Sequence, residues 1–109
     1  MGQHWTALLV GFLLPGILHA EPKLEKFFAR NCVKCHGPDK QKGKVRLDKP
    51  VGAIFADEEL LETIATVLEA SEMPPEESPQ PTAAARSEAL QIIQERILSQ
   101  RPDNPLKRL

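Results

Sequence analysis

The chain has 109 residues and a formal net charge of −1, which allows one small domain and gives no excess of basic residues for nucleic-acid binding. Aromatic residues make up only 5% of the chain, so it has little apolar bulk from which to build a core. Small domains of this kind are commonly stabilised by a covalent or metal link.

The first twenty residues differ in composition from the rest and predict a secretory signal peptide. They contain no Lys, Arg, Asp or Glu, and an apolar run extends from Ala7 to Ile17. Cleavage is expected after Ala20. The alternative is a retained anchor, but a membrane-spanning helix needs about 20 apolar residues and this run is shorter. We therefore expect residues 1–20 to be removed on export to the periplasm, with no membrane insertion of the mature chain.

A first helix is predicted after the signal peptide, opened by Pro22, because the first helical position needs no N–H donor. Leu24, Phe27 and Phe28 are spaced i, i+3 and i+4 and give one apolar stripe that leads to Asn31. The residues that follow this helix carry the strongest chemical signal in the sequence.

Cys32, Cys35 and His36 form a C-x-x-C-H motif, which is the pattern of covalent haem attachment. Two thiols three positions apart lie on one side of a helical turn, where both can form thioethers with the vinyl groups of one porphyrin. The adjacent histidine can then bind the iron. His36 is also the only histidine left after cleavage at Ala20. The motif predicts one covalently attached haem c, with His36 as an iron ligand.

Two other readings of the cysteines are open to the chain. A disulfide or a thioredoxin-like dithiol also uses C-x-x-C, but such a site accompanies a βαβ pattern, and no strand run of that kind occurs here. A structural zinc site needs four ligands, whereas Cys32, Cys35 and His36 supply three and the mature chain has no other Cys or His.

Residues 37–56 carry glycine and proline without helical periodicity and predict a loop. Asp57 is a favoured N-cap and predicts the start of a second helix, which must stop before Pro74. Apolar residues recur at helical spacing along its predicted buried face: Leu60, Leu61, Ile64, Val67 and Leu68.

Four prolines between residues 74 and 81 predict a second loop. Thr82 then predicts the N-cap of a third helix that ends before Pro102. Its inward-facing residues are expected to be Ala89, Leu90, Ile93 and Ile97. One domain is expected over residues 21–101, followed by a tail or linker over residues 102–109.

Met73 is the only methionine left after the signal peptide, and Pro74 and Pro75 follow it. The prolines hold the chain extended, so the loop can present the Met73 sulfur to a metal. A methionine in a short chain ordinarily fills a gap in the core, but beside a haem motif, ligation is the favoured interpretation. With His36 and Met73 on the iron, both axial positions are filled, which suits electron transfer. If Met73 only packs, lysine or water takes the sixth position and small ligands can bind.

The order of these elements resembles class I cytochrome c, in which the haem motif follows the first helix and a methionine precedes the last. The resemblance implies an all-α, three-helix fold around one haem, with the first and last helices crossing beside it. Phe28 suits the aromatic residue at that crossing, opposite an aliphatic partner from Ile92, Ile93 or Ile97.

Two stretches resemble the planctomycete-type cytochrome c domain more closely: CHGPDKQKGKVRLD at 35–48 and EMPP at 72–75. The resemblance implies haem c with His36 and Met73 as ligands. In that family the domain usually heads much longer exported proteins. The pair Lys44 and Val45 departs from the commoner Gly-Leu, and little change to the site is expected from that.

Charge is segregated along the mature chain. Residues 23–49 hold nine Lys or Arg and three acidic residues, whereas residues 57–77 hold eight acidic residues and no basic ones. Such a dipole can steer a redox partner, although ordinary solvated helix faces also explain it. The sequence therefore predicts an electron carrier, not an enzyme, that works with a redox partner protein. The alternatives are an electron-entry haem module of a larger exported oxidoreductase and an open-site haem protein that binds a small ligand.

Overall fold

The computed structural model describes residues 15–102, and in this part of the chain it contains four α-helices and no β-strand. The helices are α1 (Pro15–Asn31), α2 (Val51–Ala56), α3 (Glu58–Glu69) and α4 (Ala83–Gln100). The predicted all-α class is confirmed. Residues 1–14 of the predicted signal peptide and residues 103–109 of the predicted tail lie outside the described residues.

α1 begins at Pro15 rather than at Pro22, so the predicted start of the first helix is wrong. Pro22 lies inside the helix. An internal proline removes one backbone hydrogen bond, and the residues on either side of it favour helix strongly enough to continue through that position.

α2 lies within the segment predicted as a loop, so that prediction is wrong for residues 51–56. Val51, Ile54 and Phe55 are buried and spaced i, i+3 and i+4, so a single helical turn places all three in the core. This burial outweighs the poor helix propensity of Gly52.

α3 and α4 begin where the sequence predicts. The Asp57 carboxylate accepts a hydrogen bond from the Leu60 N–H at 3.1 Å, and the Thr82 hydroxyl oxygen accepts one from the Ala85 N–H at 3.0 Å. Both side chains therefore satisfy a backbone donor in the first turn that the helix itself leaves unpaired.

One hydrophobic core connects the helices, and α4 packs against both α1 and α3. The predicted stripe of α1 is buried in full, and the predicted stripes of the other two helices are buried or half-buried. The fully or nearly fully buried members are Leu24, Phe27, Phe28, Leu61, Ile64, Leu68, Ala89 and Ile93. α4 also contacts α2, because the Arg96 guanidinium lies 4.2 Å from the centre of the Phe55 ring.

Among the described residues, none of the helices combines the length and the apolar character that crossing a membrane requires.

Candidate functional site

The C-x-x-C-H motif continues directly from the last turn of α1. The Cys32 N–H donates to the Phe28 carbonyl at 2.8 Å, so Cys32 remains in helical register with the buried stripe. The next turn is closed by the N–H groups of Cys35 and His36, which both donate to the Cys32 carbonyl, at 3.2 and 2.9 Å. The three motif residues therefore lie on one turn, as the spacing predicts.

Both thiols are free and half-buried, and no disulfide joins them. Cys32 packs against the hydrophobic core. Burial raises the pKa of the Cys32 thiol to about 11, while the positive charge of Arg86 partly opposes that rise. Cys32 thus lies at the edge of the core and within the electrostatic reach of a side chain from α4.

The segment after the motif folds back onto it. The His36 carbonyl accepts from the Leu47 N–H at 2.6 Å, and the Cys35 carbonyl accepts from the Lys42 N–H at 3.0 Å. Leu47 is buried in the core, so these hydrogen bonds attach the histidine backbone to the packed interior.

Gly37 makes this fold-back possible. A Cβ at this position would lie 2.3 Å from the Val33 carbonyl oxygen and 2.8 Å from Val33 Cγ1. Real side chains do not approach a backbone oxygen so closely, so only glycine fits after His36. Sequence reasoning placed no requirement on Gly37, although its position directly after the motif was the available signal.

The His36 ring fits an axial ligand of a haem iron. Its Nδ1 atom is buried without a hydrogen-bond partner among the described residues. A buried imidazole nitrogen without a partner is costly. Ligation of iron through one ring nitrogen is a common use of such a histidine. The donor set of two adjacent thiols and one imidazole fits covalent haem c, in which the thiols form the thioethers and the imidazole binds the metal.

The described residues bring together no group of three or more His, Cys, Asp or Glu side chains placed to hold a metal ion by themselves.

The hydrogen bonds that end α3 determine the position of Met73. The Ser71 N–H donates to the Leu68 carbonyl at 3.2 Å and the Glu72 N–H donates to the Val67 carbonyl at 2.9 Å, with Ser71 at a φ of 57°. This pair of hydrogen bonds around a left-handed residue is a Schellman motif. It turns the chain sharply, so that Met73 leaves the helix axis at once.

The Met73 side chain is not part of the core. It is 38% exposed and, with Leu98, is one of two large hydrophobic residues exposed in the described part of the chain. The interpretation of Met73 as a core gap-filler is therefore wrong in this structure. Its carbonyl instead accepts a hydrogen bond from the Arg86 side chain, and the Gln80 side chain donates to the carbonyl of the next residue, Pro74. Sequence reasoning assigned no role to Gln80 or Arg86.

Arg46 has a local partner. Its guanidinium forms two hydrogen bonds with the Asp48 carboxylate, which lowers the pKa of that carboxyl. Both residues are exposed, so the pair is a surface feature of the segment that follows the motif.

A helix-terminal C-x-x-C-H turn in an all-α domain defines the site class of a c-type cytochrome. The family model described as Planctomycete cytochrome C matches residues 32–77. The match agrees with the sequence resemblance, and it indicates a cytochrome c domain over this segment. No curated protein and no solved structure matches the chain significantly.

Proposed function

We propose that the protein is an exported, single-haem electron carrier in which Cys32 and Cys35 hold haem c covalently, and His36 and Met73 bind its iron. The observation that carries the proposal is that the segment matching the family, residues 32–77, contains all four of these residues. A haem bound in this way supplies an Fe(III)/Fe(II) couple with both axial positions filled.

The contacts of the described residues support separate roles for the four side chains. Cys32 and Cys35 lie on one backbone turn, and both thiols are free and half-buried. The fold-back of the chain onto His36 fixes the backbone of that histidine, and its ring carries the buried nitrogen without a partner. Met73 is exposed on a loop rather than packed, and a haem placed over it would cover that surface.

The class I arrangement is part of the same proposal. α1 packs against α4, and Phe28 and Ile93 are both fully buried in the shared core. This pairing supports a fold in which the first and last helices cross beside the haem, with α2 as an additional short helix.

Optical spectra of the protein made with a haem-attachment system test the proposal. Sharp reduced c-type bands that survive denaturation are expected, together with an oxidised-state Met–iron charge-transfer band that Met73→Ala removes. Leu98→Ala is the matched control, because it truncates the other exposed large hydrophobic side chain and should leave the band in place. An unchanged band in Met73→Ala would contradict Met73 ligation and favour a different sixth ligand.

Export and haem number are tested on the same material. The protein recovered from the periplasm should begin at Glu21 and gain the mass of one haem. Cys32→Ser and Cys35→Ser should each reduce the number of thioether bonds by one. A mature protein that retains residues 1–20 would contradict cleavage and support the anchor.

The partner is proposed to be another redox protein. Co-purification with an oxidoreductase would favour the electron-entry module, whereas rapid binding of carbon monoxide by the untreated reduced protein would favour the open-site alternative.

A further inference from the structure

The loop between α3 and α4, residues 70–81 and called the Met73 loop below, has few backbone hydrogen-bond donors of its own. Pro74, Pro75, Pro79 and Pro81 all lie in it, and proline has no N–H. Few backbone donors are therefore available to its carbonyl groups, one being the Ser78 N–H, which donates to the Pro75 carbonyl at 2.9 Å. Two side chains from outside residues 70–79 supply the donors, one at the end of the loop and one from α4.

The first of these is Arg86, in the first turns of α4. Its Nη1 donates to the Met73 carbonyl at 2.7 Å and to the Leu68 carbonyl at 3.3 Å, while Nη2 donates to Oε1 of Gln80 at 2.8 Å. The Arg86 guanidinium thus connects α4 to the last turn of α3, to the backbone of Met73 and to Gln80 at the end of the loop.

The second is Gln80, which Arg86 orients. Since its Oε1 accepts from Arg86, its Nε2 faces the loop and lies within hydrogen-bond distance of the carbonyls of Pro74 at 3.1 Å, Pro75 at 2.9 Å and Ser78 at 3.1 Å. Together the two side chains place donors within hydrogen-bond distance of four carbonyls of the loop, on both sides of the Met73–Pro74 bond.

The positive charge of Arg86 also partly opposes the rise in the pKa of the Cys32 thiol that burial causes. Both Gln80 and Arg86 lie outside the segment that matches the family. The two side chains that contact the carbonyls of the Met73 loop therefore come from beyond that segment.

We infer that Arg86, oriented with Gln80, is a positioning residue that holds the Met73 loop in place for ligation of the haem iron. This inference rests on the proposed function. Arginine suits the task because its planar fork stays charged and donates in several directions at once, whereas lysine offers a single ammonium group.

The competing explanation is that Arg86 only joins α3 to α4 and contributes to overall stability. The two explanations differ in what they do to the sixth iron position. A positioning residue changes the fraction of molecules in which Met73 is detached, and an external ligand detects that fraction directly, because its apparent Kd is inversely proportional to it. A purely structural residue changes global unfolding alone.

The test is imidazole binding to the oxidised, haem-loaded full chain, measured beside urea unfolding followed by helical circular dichroism. Arg86→Gln removes the charge-assisted hydrogen bonds and should lower the apparent Kd for imidazole about tenfold, equivalent to about 1.4 kcal/mol. Gln80→Ala should lower the apparent Kd by a smaller factor. Arg86→Lys should give a Kd between those of Arg86→Gln and the wild type.

Arg96→Gln is the matched control. Arg96 is a second, half-buried arginine of α4, but its guanidinium contacts Phe55 and Glu21 instead of the Met73 loop. This variant should lower the urea midpoint and leave the imidazole Kd unchanged within about twofold. If Arg86→Gln does not fold, the imidazole Kd of Gln80→Ala is compared with that of the wild type instead.

The outcomes separate the inference from the proposed function. A Met–iron band in the wild type, with the same imidazole Kd in Arg86→Gln, Gln80→Ala and wild type, would overturn the positioning role and leave the proposed function standing. A wild-type spectrum without the Met–iron band would overturn both. A lower Kd in Arg86→Gln and Gln80→Ala but not in Arg96→Gln would support the inference.

Discussion

The attachment segment, residues 32–47, and the Met73 loop, residues 70–81, are held by different kinds of contact. The attachment segment is fixed mainly by its own backbone, through hydrogen bonds that Cys35, His36 and Leu47 make within it, and by the close approach of Gly37 to Val33. The Met73 loop begins with a backbone motif but is then held by the side chains of Gln80 and Arg86. One proposed ligand, His36, is therefore positioned locally, and the other, Met73, depends on a distant residue.

This difference has a consequence for ligand exchange. Breaking the attachment segment requires distortion of α1 and of the core contact at Leu47. Releasing the Met73 loop requires the loss of a few side-chain hydrogen bonds and, in the proposed holoprotein, of the bond between Met73 and the iron. Regions held by few contacts near the surface open at low free-energy cost. We expect the Met73 side of the site to open first.

The largest effect is predicted for Gly37→Ala, which should distort the attachment segment. The new Cβ would lie 2.3 Å from the Val33 backbone oxygen, so the turn after His36 must move. We expect a loss of about 3 kcal/mol in the free energy of unfolding and a lower yield of haem-loaded protein. Urea unfolding and the haem content of purified protein measure both.

The matched control for Gly37→Ala is Gly52→Ala in α2. An added Cβ there meets no atom within 4 Å, and alanine favours helix over glycine by about 1 kcal/mol. This variant should be neutral or more stable. Equal losses in the two variants would contradict the close approach at Gly37.

The next effect is predicted for Thr82→Ala, which weakens the side of the molecule that holds Met73. Thr82 caps α4 four residues before Arg86, and the Arg86 N–H donates to the Thr82 carbonyl at 3.0 Å. Loss of the cap should cost about 1 kcal/mol. Hydrogen exchange should accelerate at the amides of Glu72 and Met73 more than at those of His36 and Leu47.

Thr63→Ala controls for the loss of a threonine hydroxyl. Thr63 lies in the middle of α3, where its hydroxyl donates to the Glu59 carbonyl, and alanine is the better helix former there. Exchange at Glu72 and Met73 should not accelerate. Uniform acceleration over both segments in Thr82→Ala would argue against a separately opening Met73 loop.

The same contrast explains which features the sequence could predict. Features that depend on residues within one or two turns of each other could be predicted, and they are present in the structure. They are the C-x-x-C-H turn, the caps at Asp57 and Thr82, and the buried stripe of α1. The role of Arg86 could not be predicted, because it acts on carbonyls 13 and 18 residues away in the chain. α2 was missed because six residues are too few to show a helical period, and the core decides their conformation.

A smaller effect is predicted for Ser71→Gly at the start of the Met73 loop. Ser71 has a φ of 57°, a left-handed conformation that costs a side-chain-bearing residue about 1 kcal/mol and that glycine adopts freely. We expect a gain of about 0.5 to 1 kcal/mol in the free energy of unfolding. Ala70→Gly is the control, since Ala70 has an ordinary φ of −80° and glycine there should lower stability.

The smallest effect is predicted for Lys44→Gly, the counterpart of Ser71→Gly in the attachment segment. Gly43 and Lys44 have φ values of 64° and 61°, and the Val45 N–H donates to the Lys42 carbonyl at 3.2 Å, as in a type I′ turn. That turn favours glycine at its third position, which Lys44 occupies in this chain. We expect a gain of about 0.5 kcal/mol, measured by urea unfolding.

Lys42→Gly is the control for Lys44→Gly, because Lys42 has no positive φ and glycine there adds only chain entropy to the unfolded state. It should lose a few tenths of a kcal/mol. Neither substitution should change the imidazole Kd, because the turn lies within the attachment segment. A change in that Kd with Lys44→Gly would mean that the two segments are coupled, and that the proposed ligands His36 and Met73 are not positioned independently.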